Sequence, residues 1–275
     1  MDISTVKYPI KHYENGEYSQ TMDDVLAEYI LSIYIERDLL VKLICVPEYM
    51  EELVLGYLHS DGLISSVDDV ESIVFDGQTA RVKLSEDHNA AAVLSANAAD
   101  LHDTDMVVTD SGDFVGIPHK FKRPENGAIL KKAVWTPEMV LNNANLLLEK
   151  SRIFRETGNV HSVMLCRGEE MMYFCEDIGR YNAFDKCVGR ALKDRADLSG
   201  ACVYTSGRIP SSIALKTLRA GIPMIVSRSA PTDATLAIAA EYGLTVIGFA
   251  RGDKFNLYSF VPEIAGKNGN KWKVT

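Results

Sequence analysis

The chain has 275 residues, 47% hydrophobic and 24% charged, with a formal net charge of −9. That length allows one large or two moderate domains with a substantial core. The acidity excludes a general nucleic-acid backbone binder, which needs a basic surface, so any anionic ligand must be met by local cations. Residues 1–22 are polar and irregular and read as a surface arm. Ile30–Ile35 and Leu39–Cys45 are β-rich runs around Glu36-Arg37-Asp38 and predict a hairpin. Pro47 reads as the first position of a helix, where its missing N–H costs nothing. Met50, Leu53, Val54, Tyr57 and Leu58 follow at helical spacing, and Gly62 ends the helix. Ile73-Val74-Phe75, a turn at Asp76-Gly77 and Ala80–Leu84 predict a second hairpin. The Ala-rich stretch 89–99 reads as a helix. From Asp103 to Gly127 periodicity fades into a long loop or hinge holding Lys120, Lys122 and Arg123.

Thr136-Pro137-Glu138 opens a helix, with Thr as cap and Pro at the first turn. Strand and helix then alternate. Strands are expected at His161–Cys166, Met171–Cys175, Ala201–Thr205, Met224–Val226 and Leu244–Phe249, with an edge strand at Phe255–Tyr258. Helices are expected at about 181–193, from Ser212 to Ala220, and from a cap at Thr232 or Asp233 to Gly243. This order predicts an α/β domain over 128–275 with a largely parallel sheet flanked by helices, after an N-terminal α+β domain over 1–127.

No apolar run reaches a membrane span, and Met1–Ile10 lacks the apolar core of a signal peptide, so a cytoplasmic location is the expectation. The five cysteines are Cys45, Cys166, Cys175, Cys187 and Cys202. None forms Cys-x-x-Cys, and no Cys/His cluster has zinc spacing, so no metal site is expected. An odd number in a reducing compartment argues against a disulfide framework. Cys175 lies beside two acids, which would raise a thiol pKa and leave it inert.

The chemistry concentrates in the turns after the late strands. These are Glu176-Asp177-Ile178-Gly179-Arg180, Ser206-Gly207-Arg208, Ser227-Arg228-Ser229-Ala230-Pro231-Thr232 and Ala250-Arg251-Gly252. In an open α/β sheet such turns share the carboxyl edge, where ligands bind. Gly and Ser let backbone N–H groups approach a ligand, and Arg adds bidentate contacts to phosphate. Four arginines on one edge of an acidic protein point to an extended polyanion, such as a nucleotide or a pyrophosphate-bearing cofactor. No G-x-G-x-x-G or G-x-x-x-x-G-K-[ST] pattern occurs, so neither a Rossmann nor a Walker site is supported. His161, after Thr157-Gly158-Asn159, contacts the same ligand, acts in proton transfer, or is a satisfied structural histidine. The stretch Asp177, Gly179, Arg180, Asn182, Lys186 reads as a grip on a charged ligand rather than core filling. Its bland alternative is a helix-dipole cap by Glu176 or Asp177.

Glu176–Lys186 closely resembles the EDVGRHNAxDK signature of the FdhD-type formate dehydrogenase accessory proteins. Glu51–Leu58 with Asp61–Ile64 is similar to the family's EELxLGFLxxEGII. Phe154, Thr157-Gly158 and His161 are similar to its FxxTGGxH. Ser206–Arg208, Ser227–Thr232 and Gly248–Gly252 resemble later signatures, so the likeness spans about residues 25–258. The resemblance implies a sulfur carrier, fed by a cysteine desulfurase, that serves a molybdenum or tungsten bis(molybdopterin guanine dinucleotide) cofactor before its insertion into formate dehydrogenase. It also implies a three-layer α/β/α domain of cytidine-deaminase-like type, a homodimer, and cofactor contacts along Phe249, Ala250, Arg251, Gly252, Asp253 and Lys254.

The chain departs from that pattern. Where the family's SCGxCG loop carries two cysteines, Gly112 and Val115 stand, and neither can bear a persulfide. Tyr181 replaces the signature His, and Asn159 the second Gly of TGG. Two readings follow. One is a cofactor-binding accessory protein without sulfur transfer. The other is a sulfurtransferase using a substitute thiol, Cys175 or Cys166. A deaminase is a third reading, which the missing H-x-E…P-C-x-x-C signature disfavours.

Overall fold

Hydrophobic alternation decides the first sheet, whose strand order is β5-β6-β3-β4-β7 in this computed structural model. The structure describes residues 5–86, 107–108, 130 and 132–259. β3 (Tyr29–Ile35) and β4 (Asp38–Cys45) form the expected hairpin, as do β5 (Val70–Asp76) and β6 (Thr79–Leu84). β7 (Val107–Val108) adds two residues beside β4 inside the stretch read as a loop. The helix expected at 89–99, the rest of that loop with Lys120, Lys122 and Arg123, and positions Gly112 and Val115 lie outside the described residues. Leu31, Ile33, Ile35, Leu43, Ala80 and Val82 point to one face, which α1 (Met50–Ser60) covers with Leu53, Val54, Leu55 and Leu58. Burying each such side chain contributes about 1.5–3 kcal/mol. Pro47 does not open this helix. Tyr49 is left-handed at φ 52, so helical geometry begins only after it, and Pro47 lies in the bend before.

The polar arm is a hairpin, a correction to the reading of 1–22. β1 (Thr5–Glu14) and β2 (Glu17–Leu26) pair antiparallel around Asn15-Gly16, at φ 51 and 91. Positive φ at both central residues is the primed turn that Asn-Gly favours.

The second sheet has the order β13-β12-β11-β10-β8-β9. Its strands are β8 (His161–Arg167), β9 (Glu170–Asp177), β10 (Cys202–Thr205), β11 (Met224–Ser227), β12 (Thr245–Arg251) and β13 (Lys254–Ser259). It is mixed rather than largely parallel: only β10–β11 and β11–β12 run parallel. Two-residue turns through Gly168 and Gly252, at φ 61 and 63, can join only antiparallel neighbours. Parallel pairs need crossovers, which α5 (Ser211–Arg219) and α6 (Asp233–Tyr242) supply.

The two faces of this sheet carry separate cores. Val163, Leu165, Val203, Ile225 and Val246 pack against Ala183, Phe184 and Val188 of α4 (Arg180–Lys193) and against α5. Met164, Cys166, Tyr204, Val226 and Ile247 pack against Val140, Ala144 and Leu147 of α2 (Pro137–Lys150). The result is three α/β/α layers, as expected. Thr136 Oγ1 caps α2, accepting the Met139 N–H at 3.2 Å. A six-residue helix, α3 (Arg152–Thr157), escaped the sequence reading.

α1 and α4 tie the two sheets together. A Cβ on Gly56 would stand 1.8 Å from the Asp185 carbonyl oxygen, and one on Gly189 1.8 Å from that of Glu52. The backbones therefore touch, and only glycine permits it. Among the described residues no helix is long and apolar enough to cross a membrane.

Candidate functional site

The carboxyl ends of β10, β11 and β12 meet the start of β8, because β8 runs antiparallel to β10. At this edge the end of α2 and the α3–β8 segment close a cavity of about 500 Å³. That lies within the size range of small-molecule sites, about 300–1,000 Å³. The sheet contributes His161, Ser206, Arg228, Ser229, Phe249 and Arg251; the other wall includes Leu148, Ser151, Phe154 and Asn159.

The sheet side is held rigidly. His161 Nδ1 is 3.2 Å from Ser206 Oγ, which accepts the Ser162 N–H at 3.0 Å. Ser227 Oγ donates to the Gly207 carbonyl at 2.6 Å and accepts the Ser229 N–H at 2.8 Å. Phe249 sits at φ 54, a costly conformation for an aromatic residue, and donates its N–H to the Ser229 carbonyl at 2.9 Å.

Its electrostatics favour an anion. Arg228 Nη1 donates to the Ala144 carbonyl at 3.2 Å. Burial and the neighbouring Arg251 both lower the Arg228 pKa. Arg251 lies 5.6 Å from the Phe249 ring centre. Among the described residues no carboxylate lines the cavity. Two guanidinium groups that lower one another's charge stability, with no carboxylate among the described lining residues, favour an anion at this cavity.

Of the four arginines expected on one edge, only Arg228 and Arg251 line the cavity. Arg180 is buried, 6% exposed, with its guanidinium 5.8 Å from the Tyr181 ring. It packs beneath Gly207, whose added Cβ would meet both Arg180 Cβ and His161 Nδ1 at 3.3 Å. Arg208 is exposed and outside the lining. Ala250 faces the other way, into the core under α2. Gly252 accepts from Asn145 Nδ2 at 3.2 Å in the β12–β13 turn, where Asp253 and Lys254 are exposed. Thr232 caps α6, accepting the Thr235 N–H at 3.3 Å.

The stretch read as a ligand grip is an internal clamp. Lys186 Nζ stands 2.6 Å from Asp177 Oδ2, both side chains fully buried, and donates to the Val46 carbonyl at 2.8 Å. Asp177 also accepts the backbone N–H groups of Val46 and Gly179 at 3.1 and 3.0 Å and the Asn182 side-chain N–H at 3.0 Å. Asn182 donates to the Ile44 carbonyl at 2.8 Å. These residues fasten the end of β4 to α4. Their polar atoms are spent within the protein, because the buried pair must be fully hydrogen-bonded to be tolerated.

All five cysteines are buried. Burial pushes the thiols of Cys45, Cys166 and Cys202 up to about 12. Cys187 is also raised by burial. Cys175 is lowered instead, by a hydrogen bond from Cys187 and by Arg190, whose Nη1 is 4.0 Å away. The adjacent acids do not govern it: Glu176 faces the other way, to α3, where it accepts the Ile153 N–H, and Asp177 is paired with Lys186. No cysteine lines the cavity.

A sequence model described as the FdhD/NarQ family matches residues 26–264. The chain is 33% identical over 256 residues to a protein named sulfur carrier protein FdhD from Listeria monocytogenes serotype 4b, covering 91% of this chain and 95% of the relative. A protein of the same name from Bacillus subtilis strain 168 is 31% identical over 262 residues, with 94% and 97% covered. A crystal structure of a formate dehydrogenase accessory protein from Desulfotalea psychrophila has a TM-score of 0.72 at 22% identity, with 94% and 98% of the two chains covered, a likeness of fold.

Proposed function

The chain belongs to the FdhD/NarQ family, and on that premise we propose that it is a cytoplasmic accessory protein of formate dehydrogenase maturation. Its cargo is the molybdenum or tungsten bis(molybdopterin guanine dinucleotide) cofactor, held at the cavity of His161, Arg228 and Arg251. The observation that carries this reading is the pair of guanidinium groups in a cavity with no carboxylate among its described lining residues. The guanine dinucleotide supplies a pyrophosphate for Arg228 and Arg251. Ser206, Ser229 and His161 offer hydrogen bonds, and the Phe154 and Phe249 rings an apolar face for a base.

Delivery without a persulfide relay is favoured over sulfur transfer by a thiol of this chain. Gly112 and Val115 occupy the positions where the family resemblance places cysteines, and all five cysteines are buried. A persulfide forms by attack of an accessible thiolate. The reading includes a homodimer as the working form, checked by light scattering.

GDP is a partial mimic of the cargo. Calorimetric titration should show binding, weakened about tenfold to a hundredfold in Arg251→Ala, as expected for a lost charge-assisted contact worth about 1.5–3 kcal/mol. Undiminished affinity in that variant removes the proposed site. Incubation with a cysteine desulfurase and cysteine should leave the intact mass unchanged. A sulfur adduct mapped to Cys175 or Cys166 would establish the sulfurtransferase reading instead.

A further inference from the structure

The cavity wall opposite the sheet is built on very little secondary structure. α3 has six residues, too few to hold helical form by themselves, because helix nucleation is costly. Ser151, at its N-cap, makes no side-chain capping bond. Yet Phe154 of this helix and the segment after it, Gly158 to Ser162, line the cavity.

The missing cap comes from a distant strand. Glu176 of β9 is 7% exposed, and its two carboxylate oxygens accept separate backbone donors. Oε2 takes the Ile153 N–H at 2.9 Å, and Oε1 the Phe154 N–H at 3.0 Å. Both are first-turn groups with no partner inside the helix. A carboxylate there also meets the positive end of the helix dipole. Oε1 further lies 3.5 Å from Ser162 Oγ, itself 2.6 Å from Ser151 Oγ, and both serines line the cavity. Ile153 is held from another side by Leu26, Val46, Val160 and Ile178.

We propose that Glu176 is a positioning residue of the ligand cavity: by capping α3 from β9 it fixes the wall that carries Phe154 and the Gly158–Ser162 segment. The proposal rests on the reading of this cavity as the ligand site. Glu176 touches no ligand itself. Its effect is to keep the wall formed before the ligand arrives, so that ordering cost is not charged against binding.

The test pairs two readouts on Glu176→Ala and Glu176→Gln. Hydrogen exchange of residues 152–158 should speed up at least about tenfold in Glu176→Ala while α4 keeps its protection. GDP affinity should fall about tenfold or more by calorimetry, as expected when about 1.4 kcal/mol of pre-organisation is lost. Glu176→Gln keeps one acceptor oxygen and should fall between the wild type and Glu176→Ala in both readouts. It carries the test alone if the alanine variant does not fold. Unchanged exchange in 152–158 overturns the proposal, and so does faster exchange with unchanged GDP affinity. A wild-type protein that fails to bind GDP overturns the cargo reading and the ligand half of this proposal, while the exchange comparison still decides whether Glu176 holds the wall.

Discussion

Lys186 Nζ and Asp177 Oδ2 stand 2.6 Å apart with neither side chain exposed. Desolvating both charges is repaid only where further hydrogen bonds complete the shell, and Val46, Gly179 and Asn182 complete it here. Lys186→Met would strand a buried carboxylate. We expect a loss of about 3–5 kcal/mol in urea unfolding, and a smaller loss in the Asp177→Asn/Lys186→Met double variant. A loss below about 1 kcal/mol in the single variant would contradict the clamp.

The glycines of the helix crossing give a sharper geometric test. Gly189→Ala places a carbon where the Glu52 carbonyl stands, and backbone cannot yield as a side-chain end can. It should cost at least about 2 kcal/mol by the same measurement. Gly200→Ala, with nothing within 4 Å of its added carbon, should change stability by less than about 0.5 kcal/mol. Equal effects at the two positions would mean that α1 and α4 are not in backbone contact.

These residues also mark the limit of what the sequence discloses. Strand and helix order along the second sheet is legible because apolar runs, caps at Thr136 and Thr232 and stops at Gly221 and Gly243 are all local signals. Burial of the Asp177–Lys186 pair is not local: its partner Val46 lies 140 positions from Lys186, so a charged motif that looks like a ligand grip turns out to be a joint. Arg208 and Arg251 follow similar turns, yet only Arg251 lines the cavity, because side-chain direction depends on the tertiary path. α3 escapes for the same reason: its N-terminal cap sits on β9, 23 residues from Ile153. The Asn15-Gly16 turn was readable, and the polar strands around it concealed it.

Asp185 gives the fold a pH dependence of definite sign. Burial on α4 raises its pKa from 3.8 to about 6, despite Lys216 Nζ at 3.0 Å; Asp61, 2.8 Å from the same Lys216 Nζ, adds to the rise. A raised carboxylate pKa means that the folded state binds more protons between those values. Its contribution is present in full below pH 3.8 and is lost as pH rises through about 6. The wild type should therefore lose about 1 kcal/mol relative to Asp185→Asn between about pH 5 and 7.5. His59, pushed down to about 4 by burial and by Lys216 and Arg219, works the opposite way: its contribution is present above 6.5 and lost as pH falls towards 4. For that reason the comparison must be with the Asn variant rather than the raw stability curve. A difference that is flat across this range, or that runs the other way, would show that Asp185 is ionised throughout.

The thiols offer the most direct check on the proposal that this chain delivers cargo without a sulfur relay. All five are buried, and four of them are raised by burial, so none presents an accessible thiolate near neutral pH. A water-soluble disulfide reagent should modify fewer than one thiol per chain in the native protein within minutes, and all five in guanidinium. Cys175 is the instructive exception, since Cys187 and Arg190 stabilise its thiolate while the core shields it. If one cysteine reacts quickly in the folded protein, peptide mapping should identify it as Cys175. Rapid native labelling there would show that the β9–α4 core opens on that timescale, and a buried thiol could then still receive sulfur. Slow labelling at every position would count against sulfur transfer by a thiol of this chain.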